Sequence, residues 1–400
     1  MKKNRKNPVS FQNTAIAFKD KSKGDLFLSF VIFSLTKSPF LVKFLSRAVK
    51  LALSMGLPVK PLIKATVFKQ FCGGEKETEY AKVIKKLGAA HIGSILDYSV
   101  EGGEDEAGFE ATKSQLLKII EKSQSNPDIP CTCMKMTAIG LPALFQKVTA
   151  RTPLSKQEKQ AFEKVENRLD EICKAASSSG KPIYIDAEES WIQKAVDDLA
   201  EKMMARYNQE NAIVFTTLQL YRWDRIDYFK RLISAARSGS YRLGIKIVRG
   251  AYLEKERERA NALGYPSPVN ATKAETDAEY NQALQIFVEN IDVVEICVGT
   301  HNEHSCTLLT QYMADHRIPN DHPHIYFSQL YGMSDHISYN LADAGYNVSK
   351  YLPFGPVAAT LPYLVRRAEE NTAIAGQMSK ELEIITRECR RRKKAKQKRA

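Results

Sequence analysis

The sequence lacks the features that mark disulfide-linked, secreted and membrane-spanning proteins. Its seven cysteines are an odd number and include no C-x-x-C pair, which indicates reduced cysteines without a disulfide framework. No segment approaches the roughly 20 consecutive apolar residues that a membrane span needs. The first residues also lack the charged start, apolar run and cleavage site of a signal peptide. We therefore expect an intracellular protein that is soluble or peripheral.

Motifs for several well-defined chemistries are missing as well. The chain has no G-x-G-x-x-G, P-loop, nucleophile elbow or H-E-x-x-H motif, which argues against dinucleotide, phosphate, serine-hydrolase and zinc-hydrolase sites of those types. Four histidines occur close together in sequence, at His301, His304, His322 and His324. Because no third ligand stands at a suitable spacing from His301 and His304, we expect no metal site.

Positive charge is plentiful but unevenly distributed. The formal net charge of the 400 residues is +13. Four basic residues among the first seven contribute +4, and nine basic residues with Glu388 contribute +8 between Arg387 and Ala400. The body between these tails is therefore nearly neutral, at about +1. Basic tails usually stay solvated and sometimes dock on anionic lipid or nucleic acid. Since the body is neutral, we expect no nucleic-acid partner.

Short apolar runs alternate with stretches of helical period along most of the chain. Hydrophobic residues make up 44% of the sequence, enough for a sizeable core. The predicted strands cover residues 91–96, 131–137, 182–186, 213–218, 243–248, 293–298, 325–330 and 347–351. Helical stretches such as 156–176, 191–207 and 303–315 separate most of them. This order favours a parallel (βα)8 barrel of the α/β class, with a doubly wound open sheet as the alternative.

Four regions are expected from these patterns. Residues 1–24 are polar and basic and should form a flexible N-terminus, and residues 25–75 should form a helical arm. The barrel is expected at 76–376, and a C-terminal helix with a basic tail at 377–400. Within the arm, a helix over 40–55 would keep Lys43, Arg47, Lys50 and Ser54 on one stripe. Such a basic amphipathic helix either packs against the barrel or lies on a membrane surface.

Polar side chains stand at or near the end of nearly every predicted strand. They are Asp97, Lys135, Asp186, Gln219, Arg249, Thr300, His301, Asn302, Gln329 and Tyr351. In a barrel the carboxyl ends of the strands build the active site, so these side chains would converge on one mouth. A buried charge there needs a partner, because its desolvation costs several kcal/mol. Lys135 and Asp186, on adjacent predicted strands, are therefore expected to pair.

Two arginines follow the last predicted strand, one helical turn before a glutamate. The segment reads Tyr363-Leu-Val-Arg366-Arg367-Ala-Glu-Glu370-Asn371. By spacing alone, each arginine forms an ordinary helix-surface pair with Glu370, worth a few tenths of a kcal/mol. By position, however, this helix can reach over the barrel mouth, where two guanidinium groups would bind a small carboxylate. Tyr363, one turn earlier, would share that face.

This segment resembles the signature helix of the proline dehydrogenase family. Five other segments resemble family motifs in the same order along the chain: Met134-Lys135-Met-Thr137-Ala138, Ile185-Asp186-Ala187-Glu188-Glu189, Lys246-Ile-Val-Arg249-Gly250-Ala251-Tyr252, Gly299-Thr300-His301-Asn302 and Phe327-Ser-Gln329-Leu330-Tyr-Gly-Met. The similarity runs from about residue 90 to residue 375. Each motif is weak alone, but six in register identify the chain as a member of this family.

The resemblance implies a distorted (βα)8 barrel with an N-terminal helical extension and noncovalently bound FAD. By motif match, Arg366 and Arg367 would clamp the substrate carboxylate, and Glu101 would close the pocket by pairing with Arg366. The other substrate-pocket residues would be Lys135, Ala251, Leu330, Tyr351 and Tyr363. The implied catalytic group combines the two arginines with Lys135, Asp186 and Tyr351. Cofactor contacts would come from Asp186, Gln219, Lys246, Val248, Arg249, Gly250, Ala251, Thr272, Lys273, Thr300, His301, Asn302, Gln329 and Glu370.

The implied reaction is the oxidation of L-proline to 1-pyrroline-5-carboxylate. Hydride would pass from C5 of the proline ring to flavin N5, and the electrons would continue to a membrane quinone. A separate 1-pyrroline-5-carboxylate dehydrogenase would take the product, as a transient partner. The expected location is the bacterial cytoplasm, with peripheral contact to the inner membrane. One alternative is a hydroxyproline dehydrogenase of the same fold, against which the bulky Tyr351 argues. Another is a membrane-binding or nucleic-acid-binding protein with basic tails.

Overall fold

Eight parallel strands form a closed barrel in sequence order. The structure is a computed structural model that describes residues 9–98, 105–373 and 377–398. The expected (βα)8-type barrel is confirmed, and the doubly wound alternative is wrong. The strands are β1 (Ile92–Tyr98), β2 (Thr132–Lys135), β3 (Ile183–Asp186), β4 (Val214–Gln219), β5 (Leu243–Val248), β6 (Val294–Gly299), β7 (Ile325–Leu330) and β8 (Val348–Phe354). The last strand runs three residues beyond its predicted end, so Tyr351 lies in the middle of β8.

Helices precede, alternate with and follow the strands. They are α1 (Thr14–Ala17), α2 (Lys23–Leu35), α3 (Pro39–Ser54), α4 (Lys60–Ile63), α5 (Lys69–Phe71), α6 (Glu77–Gly88), α7 (Glu106–Gln124), α8 (Pro142–Thr149), α9 (Lys156–Ser179), α10 (Ser190–Tyr207), α11 (Arg225–Gly239), α12 (Leu253–Leu263), α13 (Lys273–Glu289), α14 (Glu303–Asp315), α15 (Asp335–Asp343), α16 (Leu361–Ala373) and α17 (Gln377–Gln397). A π-helical segment, Lys64–Phe68, joins α4 to α5, and a 3-10 turn, Met136–Ala138, follows β2.

The chain divides into two compact units. One comprises Met1–Val100 with Gln329–Ala400, and the other comprises Glu101–Ser328. They are called here the β1–β8 unit and the β2–β7 unit, after the strands that begin and end them. The expected region boundaries after residues 24, 75 and 376 stay predictions about domain organisation.

In the β2–β7 unit, each strand pairs in parallel with the next, up to Ser328 in β7. The strands are rich in isoleucine and valine and almost entirely buried, as expected where helices cover a parallel sheet. Helices α9 and α13 begin at capping boxes, in which Ser155 pairs with Glu158 and Thr272 with Glu275. These caps satisfy backbone N–H groups that would otherwise lack partners at the helix starts.

In the β1–β8 unit, β1 pairs in parallel with β8, from Ile92 opposite Val348 to Tyr98 opposite Phe354. The surrounding helices meet in one apolar cluster, to which α2, α5, α16 and α17 all contribute. Its members include Leu26, Phe33, Phe71, Tyr363, Leu364, Ile384 and Ile385. The helical arm and the segment after the last strand therefore share a core.

The described part of the N-terminal segment differs from the expected flexible tail. Helix α1 lies within it, and Phe11, Ala17 and Phe18 are buried. The basic C-terminal segment is also anchored where it meets this region. Glu388 is fully buried and pairs with Arg391 and Arg392, and Arg392 also donates to the carbonyl groups of Phe18 and Lys21. The first turns of the basic segment are thus packed rather than solvated.

Among the described residues, no single helix is both long and apolar enough to cross a bilayer. The segments Lys23–Leu35 and Phe40–Val49 together reach the required length and composition, but they are bent by 106° relative to each other.

Candidate active site

A buried ion pair connects β3 and β5 inside the β2–β7 unit. Lys246 Nζ lies 2.5 Å from Asp186 Oδ1, and both residues are buried. Burial opposes the charged form of Lys246, but the carboxylate of Asp186 outweighs this effect and raises the pKa of the lysine. Lys246 therefore stays protonated near neutral pH, as the cationic partner in a buried ion pair.

The expected pairing of Lys135 with Asp186 is wrong. The two residues are register partners on β2 and β3, yet the structure describes no ion pair for Lys135 within residues 105–373, and Asp186 binds Lys246 instead. In a (βα)8 barrel, the inward side chains of one layer come from alternate strands. Asp186 on β3 and Lys246 on β5 belong to the same set of strands, whereas Lys135 on β2 belongs to the other.

A second buried carboxylate organises the loops after β2 and β3. Glu188 accepts hydrogen bonds from the backbone N–H of Thr137 at 3.0 Å and from its hydroxyl at 2.5 Å. Burial raises the pKa of Glu188 above its usual value, although the bonds from Thr137 oppose the shift. Gln219, at the end of β4, donates to the Glu188 carbonyl at 2.7 Å and accepts from Ala251 N at 3.0 Å. The Gln219 side chain thus ties three strand-end loops together.

Arg249, one residue after β5, is held by three other side chains. Its Nε donates to Asp277 at 2.6 Å, and its two terminal nitrogens donate to Thr300 Oγ1 at 2.8 Å and Ser305 Oγ at 3.0 Å. Its guanidinium carbon also lies 4.3 Å from the centroid of the Tyr280 ring. Arginine has five N–H donors, so two remain without a partner among the described residues. The group is fixed in place and can still donate to a ligand.

Gly250 follows in a backbone conformation that other residues rarely adopt, with φ of 141°. A Cβ at this position would lie 2.5 Å from the ring carbons of Tyr221. The Tyr221 backbone N–H donates to the Arg249 carbonyl at 2.6 Å. Glycine is therefore required here so that the loop after β5 can approach the loop after β4.

The remaining residues predicted to contact a cofactor from this unit lie at strand ends and helix starts. They are Val248, Thr272, Lys273, Thr300, His301 and Asn302. Thr272 and Asn302 are the N-caps of α13 and α14, and Lys273 pairs with Asp277. Thr300 Oγ1 also accepts from the backbone N–H of Asn302 at 3.1 Å. Several of these side chains thus have structural partners, and their contacts with a cofactor stay predictions.

In the β1–β8 unit, Tyr351 and Leu330 are joined through the backbone of β7 and β8. Tyr351 is buried, and its carbonyl accepts from Tyr331 N at 2.9 Å. Lys350, fully buried beside it in sequence, donates to the Leu330 carbonyl at 3.4 Å and to the Met333 carbonyl at 2.5 Å. Gln329, the other predicted residue of β7, accepts from the Ser338 hydroxyl at 2.7 Å.

Helix α16 carries the paired arginines. Tyr363 is buried, Arg366 and Arg367 are partly buried, and the Arg367 guanidinium carbon lies 5.3 Å from the centroid of the Tyr363 ring. These positions, three and four residues apart, share one face of the helix. Glu370 also lies in α16, but its side chain is outside the described part of the structure, and the predicted gate residue Glu101 is outside the described residues. The pairing of Glu101 with Arg366 stays a prediction.

The sequence reasoning missed several residues that position this site. Lys350 and Asp335 form a buried ion pair at 2.9 Å, and Lys21 Nζ lies 2.9 Å from the other oxygen of Asp335. Asp277 holds Arg249 through an ion pair. Glu188 holds the loop after β2 through its hydrogen bonds from Thr137. The signal available in the sequence was Lys350, directly before Tyr351, as the one charged residue of its predicted strand, because a buried lysine requires an acidic partner.

Comparisons with known proteins agree with the geometry. The sequence model of the family described as proline dehydrogenase matches residues 80–380, which include all six motifs. A mitochondrial proline dehydrogenase 1 from Dictyostelium discoideum is 33% identical over 95% of this chain and 74% of that protein. A hydroxyproline dehydrogenase from Xenopus laevis is 29% identical over 96% of this chain and 90% of that protein.

A solved structure supports the fold independently. Proline utilization A (PutA) from Bdellovibrio bacteriovorus, inactivated by N-propargylglycine, aligns with a TM-score of 0.70 and 21% identity over 93% of this chain. The chain spans 40% of that larger protein, so this likeness concerns the barrel fold alone. Because the family match covers well over half of the residues and a relative above 30% identity spans nearly the whole chain, the chain belongs to the proline dehydrogenase family of oxidoreductases.

Proposed function

We propose that this protein oxidises L-proline to 1-pyrroline-5-carboxylate, with FAD as its cofactor and a membrane quinone as the electron acceptor. The observation that carries the proposal is α16, which presents two partly buried arginines, Arg366 and Arg367, the second of which lies beside the buried ring of Tyr363. Guanidinium groups bind carboxylates through two parallel hydrogen bonds. Proline carries one carboxylate on a small apolar ring, which suits paired arginines next to an aromatic side chain.

The remaining substrate contacts are proposed to come from Tyr351 and Leu330. Both belong to the same unit as α16, and Lys350 ties the end of β7 to β8 through the Leu330 carbonyl. Arg366 and Arg367 would fix one end of the proline ring, while the aromatic and aliphatic groups press its face. Cationic surroundings disfavour the protonated amine of proline. They therefore raise the fraction of neutral amine, which is the form that can be oxidised.

The donors of the β2–β7 unit fit a flavin. Lys246, Arg249 and Thr300 supply N–H and O–H groups at the ends of β5 and β6, and Arg249 keeps two unused donors among the described residues. The buried Tyr221 hydroxyl, whose ring lies against Gly250, also has no partner there. Unused donors on a partly buried guanidinium group and a buried hydroxyl favour a ligand rich in carbonyl, ring-nitrogen or phosphate acceptors, and FAD offers all three. The residues proposed to hold it are Gln219, Lys246, Arg249, Thr300 and His301.

The charge inside the barrel is proposed to assist the redox chemistry. Bound FAD would supply the hydride-accepting chemistry at this site. Lys246 stays protonated because Asp186 holds it, and a fixed positive charge stabilises negative charge that develops near it. Asp186 therefore acts through Lys246, by keeping the ammonium group charged and oriented.

The acceptor, the product-consuming partner and the location belong to the same proposal. A quinone acceptor requires contact with a membrane, which accords with a cytoplasmic protein that is peripheral on the bacterial inner membrane. A 1-pyrroline-5-carboxylate dehydrogenase would consume the product as a transient partner. Proline-dependent reduction of a quinone dissolved in lipid vesicles, followed anaerobically, tests the acceptor. Reduction of soluble dyes without any quinone reduction would contradict it.

The first test is the anaerobic visible spectrum of the purified protein before and after addition of L-proline. We expect a flavin spectrum that bleaches with L-proline and hardly with hydroxyproline. A flavin that does not bleach would contradict the proposed substrate. A colourless protein that fails to take up added FAD would contradict the proposed cofactor.

The carboxylate clamp is tested by the double variant Arg366→Met/Arg367→Met. Each lost charge-assisted bond costs about 1.5–3 kcal/mol, so the proline concentration for half-reduction should rise at least about 100-fold. Flavin content should remain unchanged. The matched control is Arg237→Met, because Arg237 is an exposed arginine of α11 that pairs with Asp292. An equal effect in both variants would exclude a clamp by the α16 arginines.

A further inference from the structure

An unusual share of exposed apolar side chains is concentrated in the helical arm. Among the described residues, fifteen large hydrophobic side chains are exposed, and eleven of them lie between residues 27 and 62. Phe40 is 79% exposed and Phe27 70%. This surface is called here the arm face, and its members are Phe27, Phe30, Leu35, Phe40, Leu41, Phe44, Leu45, Leu51, Met55, Leu57 and Leu62. Exposure on this scale marks an interaction surface.

The same stretch carries charge of one sign. No aspartate or glutamate occurs between Asp25 and Glu75, whereas seven lysines and arginines do. Lys64 and Lys69 are paired with carboxylates at the two ends of the stretch. The others whose side chains are described, Lys37, Lys43, Arg47 and Lys60, are exposed and have no ion pair among the described residues. The arm face is therefore apolar and cationic at once.

In helix α3, the exposed apolar residues and the basic residues occupy neighbouring positions around the helix axis, opposite the buried side. Its inward side includes Val42, which is buried, and Val49, which packs against the apolar cluster of the β1–β8 unit. Phe40, Phe44 and Leu51 follow one another at helical spacing on the exposed side. Lys43 and Arg47, four residues apart, run along the edge of this apolar strip. This arrangement is that of a helix lying in a membrane interface, with apolar groups inserted and cations at the head groups.

We propose that the arm face docks on the surface of a bilayer containing anionic lipid, with α2, α3 and α4 lying in the interface. A second copy of this chain fits less well, because it would bring two cationic surfaces together. The basic half of α17 adds to the attraction, since α17 packs against α2 and its lysines Lys393, Lys394 and Lys396 are exposed. Anionic head groups attract such clusters.

The arm face is also connected to the helix that carries the paired arginines. Helix α3 packs against α16, and Val49 contacts the cluster that contains Tyr363 and Leu364. A shift of α3 on contact with lipid would therefore be transmitted to α16, the helix proposed to bind the substrate. This step of the inference rests on the proposed function, because it assigns α16 to substrate binding, whereas the docking itself does not.

The test measures co-sedimentation of the full-length protein with vesicles. One set contains equal parts of phosphatidylcholine and phosphatidylglycerol, and the other contains phosphatidylcholine alone. We expect strong binding to the first set, weaker binding to the second, and release by salt. The triple variant Phe40→Ser/Phe44→Ser/Leu51→Ser should lower the partition coefficient at least about 100-fold. Lys43→Glu/Arg47→Glu should lower it at least about 30-fold on anionic vesicles.

Matched controls change exposed residues that are not part of the arm face. Leu263→Ser removes an exposed leucine at the end of α12, and Lys82→Glu/Lys86→Glu reverses two exposed lysines of α6. Both should leave vesicle binding within about twofold of the unaltered protein. Circular dichroism and the urea unfolding midpoint establish that each variant is folded.

Turnover separates docking from catalysis. The arm-face variants should keep proline-dependent reduction of a soluble dye and lose reduction of a quinone embedded in vesicles. Vesicle binding that is equal in arm and control variants would overturn the proposal, as would self-association through the arm face without vesicle binding. Docking without bleaching by L-proline would overturn the proposed function and leave the docking intact. Bleaching without docking would do the reverse.

Discussion

Asp335→Asn would neutralise a carboxylate that lies between two lysines in the β1–β8 unit. Asp335 Oδ1 is 2.9 Å from Lys350 Nζ, and Oδ2 is 2.9 Å from Lys21 Nζ. The Lys350 side chain is 0% exposed and the Lys21 side chain 19%. Burial opposes ionisation of Asp335, but the two ammonium groups outweigh it and hold the pKa of Asp335 well below its usual range. Without the carboxylate charge, Lys350 would keep only neutral hydrogen-bond acceptors, such as the carbonyls of Leu330 and Met333.

The size of the effect follows from this burial. Removing one partner of a buried ion pair costs about 3–5 kcal/mol, so Asp335→Asn should lower the free energy of unfolding by that amount. Lys21→Met should cost only about 1 kcal/mol, because its side chain reaches solvent and Lys350 remains with Asp335. The double variant Asp335→Asn/Lys350→Met removes the stranded ammonium group. It should recover at least about 2 kcal/mol relative to the single Asp335 variant.

Urea unfolding followed by circular dichroism measures these differences. A carboxylate with a depressed pKa contributes stability that is complete above its unfolded pKa, near about 3.9. That contribution is lost as the pH falls below this value towards the folded pKa, and the asparagine variant should lack this part of the profile. A loss below about 1 kcal/mol in Asp335→Asn, or a double variant no more stable than the single one, would refute the reasoning.

Three further outcomes are expected. Tyr351→Ser should raise kcat/KM for hydroxyproline relative to proline, because the ring no longer excludes a hydroxyl group; an unchanged ratio in steady-state kinetics would contradict this. Gly250→Ala should cost about 1–3 kcal/mol or more, since its Cβ would meet an aromatic ring at 2.5 Å, whereas Gly264→Ala meets nothing within 4 Å and should cost about 1 kcal/mol; equal urea midpoints would refute the clash. Because the pKa of Glu188 is raised in the folded protein, the unaltered protein should lose stability as the pH rises from the unfolded pKa of Glu188 through its folded pKa. Glu188→Gln should lack this loss. Unfolding profiles against pH that coincide for the two proteins would contradict the prediction.

The sequence was sufficient for the barrel and for the family. Apolar runs at regular spacing predict all eight strands, because a strand covered on both faces needs an unbroken apolar segment whatever its surroundings. Paired arginines after the last strand, in register with five other motifs, carry the resemblance to the family, and it is this resemblance that implies the substrate class. The order of the motifs is a property of the chain, so no three-dimensional information was required to read it.

Pairing between strands could not be predicted in the same way. The sequence shows that Asp186 requires a cation but not which lysine supplies it. Barrel geometry selects Lys246, because alternate strands fill the same interior layer. Likewise, Asp335 and Lys350 are close in sequence, but Lys21 belongs to the N-terminal segment. Only folding brings Lys21 to the Asp335 carboxylate.

The tails and the arm show the same division between composition and tertiary structure. Composition determined that both ends are basic and that a helix over residues 40–55 is amphipathic. Tertiary packing decided that Phe11 and Phe18 are buried, that Glu388 holds Arg392, and that the apolar side of α3 remains exposed. The physical reason is that periodicity specifies which residues share a face of a helix. What covers that face depends on elements hundreds of residues away in the sequence.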